Sequence, residues 1–357
     1  FYSDKKNYLQ IFEDVCSKGS FIMQSELENF EKNIAKYSNC KFAIGVANAT
    51  DAMELILMSS NLKQNGDILF CGHTMIATAS AIKNTGFNPI PVEMDNNHFI
   101  SIDDLKKKIT RNTVAIMPTH LNGGMANMTE ILKIANELNL EIIEDGAQAL
   151  GAQIDNIMPG QKSLGSCISF YPAKTLGCFG DGGCVLTNNK HIAETIYKIR
   201  DHGRSLNNII ELWGRNSRLD NLQAAILDYK LKNYDNLIKK RETIVEMYND
   251  TLSKYDLDYL PFKNKKKGTR YVFQNYEIRI KKRDLFKQKL DENGIGTLIQ
   301  WGGKSVDEFE IFLNKYNLPK TRNYLKNSIM LPLNEYLTFE EIDYICNKIK
   351  KICEEII

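Results

Sequence analysis

The sequence predicts an α/β fold, with a large domain built on a mostly parallel sheet flanked by helices and a smaller C-terminal α+β domain. Three observations predict it. From about residue 40 to 190, short apolar strand-like runs alternate with helical patterns, which is how a parallel sheet covered by helices on both faces reads. After residue 187 the pattern becomes long and helical as far as about residue 252, and beyond that strands and helices mix again. At 357 residues the chain can form one large and one small domain, at roughly 150 residues each.

The strands are expected over 42–46, 67–70, 88–92, 113–117, 141–144, 167–170 and 183–187, with helices over 51–60, 76–84, 102–108 and 129–138 between several of them. In such sheets ligands collect beyond the carboxyl ends of the strands, where Asp145 and the Thr50–Asp51 pair fall. Residues 255–261 and the basic, glycine-containing 263–268 read as a crossing into the second unit, which divides the chain into 1–250 and 251–357. In that unit 271–280 reads as strand, and 283–293 and 338–355 as helices. No internal repeats stand out.

Composition narrows the function. Hydrophobic residues make up 43% and charged residues 25% of the chain, ordinary for a globular protein with a substantial core. A net charge of +2 gives no electrostatic reason for a nucleic-acid or membrane partner, and the short lysine clusters at 239–241, 265–267 and 281–283 read as solvated surface. None of the eight cysteines forms a C-x-x-C pair, which suits buried thiols in a reducing cytoplasm. The five histidines show no H-x-x-x-H or comparable spacing, so no metal site is expected. No apolar run reaches the roughly 18 residues that span a bilayer, and no signal-peptide pattern is present. Phe1 stands where a methionine would begin a chain, so native residues are expected to precede it.

The most informative stretch is Ser169-Phe170-Tyr171-Pro172-Ala173-Lys174-Thr175-Leu176-Gly177-Cys178-Phe179-Gly180-Asp181-Gly182-Gly183. A lysine follows an apolar strand, faces a glycine-rich turn and comes after the acidic strand end Glu144-Asp145. Pyridoxal phosphate chemistry needs an amine to form a Schiff base and a carboxylate to keep the pyridine nitrogen protonated. On spacing alone, a surface lysine beside a turn accounts for Lys174 equally well. Asn48-Ala49-Thr50-Asp51-Ala52 joins a strand to a helix whose first amides, with the Thr50 hydroxyl, suit a phosphate dianion. A plain N-cap by Thr50 or Asp51 fits too. Asp145 and Gln148 flank a small-residue turn, and Ser169 could offer a hydroxyl to a phosphate or be an ordinary strand serine. Residues 216–225 read as the opening of a helix.

Taken together, these elements resemble the DegT/StrS-type sugar-nucleotide aminotransferases, which are fold-type-I pyridoxal phosphate enzymes. The resemblance runs from Gly19-Ser20-Phe21-Ile22 through 48–53, 74–82, 144–152, 169–183 and 214–227 to Gly294-Ile295-Gly296-Thr297, nearly the whole chain. Glu-Asp-x-Ala-Gln followed by Ser-Phe-Tyr-Pro-x-Lys is specific as a pair. The resemblance implies that Lys174 forms the Schiff base and acts as general acid/base, Asp145 pairs with the pyridinium, and Gln148 contacts the ring hydroxyl. It makes Ala49, Thr50 and Ser169 phosphate neighbours, and Asn216 a contact to the phosphate of the neighbouring subunit's cofactor, hence a homodimer with shared sites.

The chain also departs from the family pattern. Met75 stands where an aromatic residue usually stacks on the ring, Ala47 and Ala49 replace glycines, and Leu150 replaces a histidine. Ile299-Gln300-Trp301-Gly302-Gly303 replaces a histidine-tyrosine-proline segment near the substrate sugar. The implied reaction moves the amine of glutamate, through pyridoxamine 5'-phosphate, to a keto group of a nucleotide-linked deoxy sugar for surface polysaccharide or amino-sugar synthesis. The segments 216–220 and 294–297 are more similar to relatives acting on 3-keto than on 4-keto sugars. Tyr171, Arg218, Gln300 and Trp301 are the expected substrate contacts, with Lys304 or Arg218 at the diphosphate. A cyclitol or cyclohexenone aminotransferase, or a non-catalytic cofactor-binding regulator, would share the cofactor residues. A sugar 3-dehydratase of this fold carries histidine at the Schiff-base position, and Lys174 argues against it.

Overall fold

The computed structural model describes residues 4–255, 257, 261–262 and 267–356. Two helices, α1 (Lys5–Lys18) and α2 (Ser25–Tyr37), precede β1 (Phe42–Val46) and α3 (Ala49–Met58). Then alternate β2 (Asp67–Cys71), α4 (Ile76–Asn84), β3 (Asn88–Val92), α5 (Ile102–Lys108), β4 (Thr113–Met117), α6 (Met128–Leu138) and β5 (Glu141–Asp145). After β6 (Gly165–Ser169) and β7 (Gly183–Thr187) come α7 (Lys190–Ile199), α8 (Asn221–Leu231) and α9 (Tyr234–Leu252). The C-terminal part holds β8 (Tyr276–Arg279), α10 (Arg283–Glu292), α11 (Pro319–Asn327), β9 (Ser328–Leu331) and α12 (Phe339–Ile356).

The sheet has seven strands in the order β1-β7-β6-β5-β4-β2-β3. The pairings β2–β3, β2–β4, β4–β5 and β5–β6 are parallel, while β7 runs antiparallel to both β6 and β1. Alternation along a strand sends successive side chains to opposite faces. In β2, Leu69 and Cys71 therefore enter one apolar layer, and Ile68 and Phe70 the other. β3 carries Pro89 and Pro91, which lack the N–H a central strand must donate, and it lies at the sheet edge.

Three expectations change. The helix expected from 51 begins at Ala49, because Asn48 and neither Thr50 nor Asp51 is the cap: its side chain accepts from the Asp51 amide at 2.8 Å. The helix expected to open at 216 begins at Asn221, since Asn216 and Asp220 are held extended in bridges to Asp201 and Ile22. The strand expected over 271–280 is confined to β8, paired antiparallel with β9, which the sequence pattern did not single out. Residues just before β8 dock on the loop that follows β4 instead: the Val272 amide donates to the Gly123 carbonyl at 2.8 Å, and Phe273 adopts a left-handed φ of 52°. Much of the expected crossing, residues 256, 258–260 and 263–266, lies outside the described residues.

Candidate active site

The reversed strand builds the site's floor. In the β1–β7–β6 register, Val46, Gly183 and Ser169 stand side by side, and Asp145 of β5 pairs with Cys167 of β6. The carboxyl ends of β1, β5 and β6 and the start of β7 thus share one rim. α3 rises from that rim, and a Cβ on Gly183 would lie 2.5 Å from the carbonyl carbon of Asn48 and 2.8 Å from the Ala49 nitrogen. Glycine there lets the helix N-terminus sit directly on the strand. The Ala49 and Thr50 amides, in the first turn, have no intrahelical acceptor and face outward with the positive end of the dipole.

Glu144 and Asp145 point to opposite faces of β5. Glu144 is fully buried and bonded to His120 Nε2 at 2.7 Å, to the Gly160 amide at 2.9 Å and to the Ser163 hydroxyl at 2.5 Å. Because His120 Nδ1 accepts from the Ala126 amide, its Nε2 carries the proton given to Glu144. Asp145 faces the rim, 5% exposed, with no cation at ion-pair distance among the described residues. Neutral donors hold it: the Thr78 hydroxyl at 2.7 Å and the Ala147 amide at 3.2 Å, with Thr74 and Cys167 both at 3.5 Å. Thr119 donates to Thr74 at 3.0 Å and extends this hydroxyl chain. A buried carboxylate so placed is completed by a cationic partner.

Lys174 lies in the turn between β6 and β7, partly buried. Burial pushes its amine pKa below the ordinary lysine value, while the nearby negative charge of Asp145, and then Cys167, act in the opposite sense. The structure therefore brings amine and carboxylate into electrostatic reach. Gln274, buried at 6% exposure, fixes the turn from both sides: its Oε1 accepts from the Thr175 amide and its Nε2 donates to the Ala173 carbonyl, each at 2.9 Å. Arg241 holds the Gln274 backbone in turn, donating to the carbonyls of Phe273 at 2.9 Å and Gln274 at 3.1 Å. A cavity of about 350 Å³ adjoins Lys174, lined by Gln274, Asn275, Thr297 and Leu298 among others. A larger hollow of about 1000 Å³ beside Glu31, Tyr197 and Arg204 includes none of these groups.

The other expected residues divide. Gln148 Oε1 accepts from the Asn122 amide at 2.8 Å and from Asn275 Nδ2 at 3.4 Å, so its own amide hydrogens remain for a ligand. The Ser169 hydroxyl oxygen accepts from the Tyr171 amide at 3.3 Å, which leaves its proton to donate. Met75, N-terminal to α4, and Tyr171 are both about half exposed. Asn216 is exposed, in the loop that carries Leu206 at 104% and Trp213 at 97% exposure. Arg218 is committed to Asp201 at 2.8 Å, which competes with its expected diphosphate contact. Trp301 adopts a left-handed φ of 48° and sets its ring edge-on to His73, 5.5 Å between centroids, where a substrate stack was expected. Gln300 is buried with Oε1 unpaired among the described residues. Sequence reading missed Thr78, Gln274 and Asn122. Thr74 and Thr78, one helical turn apart at the start of α4, were the legible part of that signal.

These residues fit pyridoxal phosphate. A helix N-terminus seated on glycine suits its phosphate, an unpaired buried aspartate its ring nitrogen, and a lysine of lowered basicity its aldehyde.

The comparisons agree. The model of the DegT/DnrJ/EryC1/StrS aminotransferase family matches residues 3–350. A pleiotropic regulatory protein of Geobacillus stearothermophilus is 32% identical over 350 residues, covering 97% of this chain and 94% of its own. The dTDP-3-amino-3,4,6-trideoxy-alpha-D-glucose transaminase of Streptomyces venezuelae is 32% identical over 335 residues, covering 90% and 86%. The crystal structure of S. venezuelae DesV in complex with a ketimine intermediate superposes with a TM-score of 0.95 at 29% identity, covering 100% of this chain and 97% of that one. With a family match across nearly its full length, the chain belongs to the DegT/DnrJ/EryC1/StrS aminotransferases and is a pyridoxal-phosphate-dependent enzyme.

Proposed function

We propose that the protein moves the amine of glutamate to the keto group of a nucleotide-linked deoxy sugar, carbon 3 being favoured over carbon 4, in the synthesis of amino sugars for surface polysaccharides. Glutamate leaves as 2-oxoglutarate and the sugar gains the amine. The observation that carries this reading is the convergence of Lys174, Asp145 and the α3 N-terminus on one rim. The 3-amino product in the name of the S. venezuelae transaminase supports carbon 3.

When bound, pyridoxal phosphate supplies an electron sink for proton removal from the amine-bearing carbon. Lys174 would hold its aldehyde carbon, and once released its amine, less basic than an ordinary lysine, would accept and return that proton. Asp145, fixed by Thr78, would keep the ring nitrogen protonated. Gln148 would donate to the ring hydroxyl, and Met75 would cover the ring face with its thioether. Thr50, Ser169 and the Ala49 amide would hold the phosphate, with Asn216 reaching the site of a second copy. Exposed apolar residues around Asn216, including Leu206, Ile209, Ile210 and Trp213, support such a homodimer. Tyr171, Gln300 and Trp301 border the acceptor, and Arg218 would reach it by leaving Asp201. The eight free cysteines support a reducing, cytoplasmic setting.

Lys174→Ala should abolish turnover and the cofactor's long-wavelength absorbance, and borohydride reduction of the wild type should label Lys174 alone. Adduct on another residue rejects the assignment. Mass spectrometry of nucleotide-linked keto sugars incubated with glutamate and enzyme then identifies the acceptor. A cyclitol product would redirect the reading to that branch. The name of the G. stearothermophilus relative keeps a regulatory reading in view, and absence of amine exchange with glutamate would favour it.

A further inference from the structure

A buried polar cluster, given no role above, adjoins the site through Asn122 and Trp301. His73 follows β2, His98 occupies a tight turn with a left-handed φ of 61°, and Glu277 belongs to β8. They are 0%, 2% and 0% exposed. Glu277 Oε2 lies 3.9 Å from His73 Nε2 and 3.8 Å from His98 Nδ1, too far for hydrogen bonds. One ligand-capable atom from each of the three falls within 4.8 Å of the others. Neither ring nitrogen of His73, nor Glu277 Oε1, makes a hydrogen bond of good geometry among the described residues. Buried polar atoms are nearly always paired, so this grouping calls for a missing partner.

We propose that His73, His98 and Glu277 bind one divalent transition-metal ion of the zinc type, which staples β8 to the loops that follow β2 and β3. Two imidazoles and a carboxylate are a zinc donor set. Bonds of about 2.0–2.2 Å in a tetrahedral shell put donor atoms roughly 3.3 Å apart, so closing on an ion takes side-chain shifts of about half an ångström. Burial lowers the His73 imidazole to about 3, opposed by a hydrogen bond with the His98 backbone, and burial and then His73 lower His98 well below its usual value. Burial raises Glu277 to about 7, with hydrogen bonds from Ser328, Asn122 and Tyr324 opposing, and a cation would restore its charged form.

The surroundings suit such a site. Asn122 Nδ2 donates to Glu277 Oε2 at 3.0 Å and orients the carboxylate. The Tyr324 hydroxyl, 3.0 Å from His98 Nδ1, would yield that nitrogen to the ion. Trp301 covers His73 edge-on. The donors come from positions 73, 98 and 277, so no linear spacing could show them.

The test uses untagged full-length holoenzyme, incubated with zinc sulfate, dialysed and analysed for metal. About one zinc per chain is expected, falling to background in His73→Asn and Glu277→Gln, with a melting temperature that rises on zinc addition in the wild type alone. Cobalt in place of zinc should give ligand-field absorption bands that both variants lose. Circular dichroism and the cofactor absorbance report whether the variants fold, and the wild-type measurement stands without them. Wild type that retains no stoichiometric zinc, or folded variants that retain it, overturns the proposal.

Discussion

Gln274→Ala removes a side chain that grips both flanks of Lys174. Two hydrogen bonds of 2.9 Å vanish. The Thr175 amide is buried and loses the acceptor it has among the described residues, whereas the Ala173 carbonyl is at an exposed residue and can turn to water. An orphaned buried donor costs about 1–3 kcal/mol and a re-solvated acceptor much less, so a loss of about 2–3 kcal/mol is expected. Gln274→Met, similar in volume, separates the lost bonds from the cavity that alanine leaves. Freeing the turn also lets the amine drift, and an ångström of misplacement can cost roughly 100-fold in rate. Urea unfolding measures the first effect, and single-turnover amine transfer from glutamate the second. A Gln274→Met enzyme with wild-type stability and rate would refute the idea that this clamp positions Lys174.

Gly183→Ala should weaken cofactor affinity and cost about 1–3 kcal/mol, because the new methyl meets the backbone of Asn48 and Ala49; spectroscopic titration with cofactor and urea unfolding read the two effects. In cofactor-free protein, Asp145→Asn should lower the pH midpoint for trapping Lys174 with aldehyde and borohydride, since the Asp145 charge now holds the amine up against burial; an unchanged midpoint would show that the two groups do not interact. Glu26, 17% exposed, is held down to about 2 chiefly by the Asn221 side chain at 2.5 Å. A depressed carboxyl stabilises the fold above its unfolded value of 4.5 and loses that contribution as pH falls through about 2. Glu26→Gln should therefore cost about 1–2 kcal/mol at pH 7, after discounting for solvent, and the gap should close on acidification in urea titrations.

The sequence exposed those parts of the site that one segment carries by itself. The Lys174 turn, the Asp145–Gln148 pair and the Asn48–Thr50 helix start are each local, so they stood out as candidates, while their roles came from the family resemblance, since spacing alone fitted a surface lysine and a plain cap equally. Alternation of strand and helix exposed the sheet, and the proline-bearing 88–92 strand fell where expected. Strand direction was not legible, because a short buried strand such as β7 reads the same whichever way it runs. Gln274, Asn122 and the His73–His98–Glu277 group escaped because their partners lie far off in the chain, and only the approach of residues 274–277 to the loops after β2, β3, β4 and β6 unites them. That Asp201 engages Arg218 was equally hidden, because a sequence does not reveal which carboxylate a cation meets.

The single strand that runs backwards has a mechanical consequence. With β7 antiparallel to β6, the segment carrying Lys174 leaves and re-enters the sheet at the same edge, so the amine hangs from a bracket anchored at both feet. A parallel β7 would send that segment across to the opposite edge through a long crossover, with one foot far from the amine. Lengthening the distant helix connections should therefore leave the nucleophile's position unaltered, while cutting the chain between β6 and β7 would set it loose even if every side chain stayed in place.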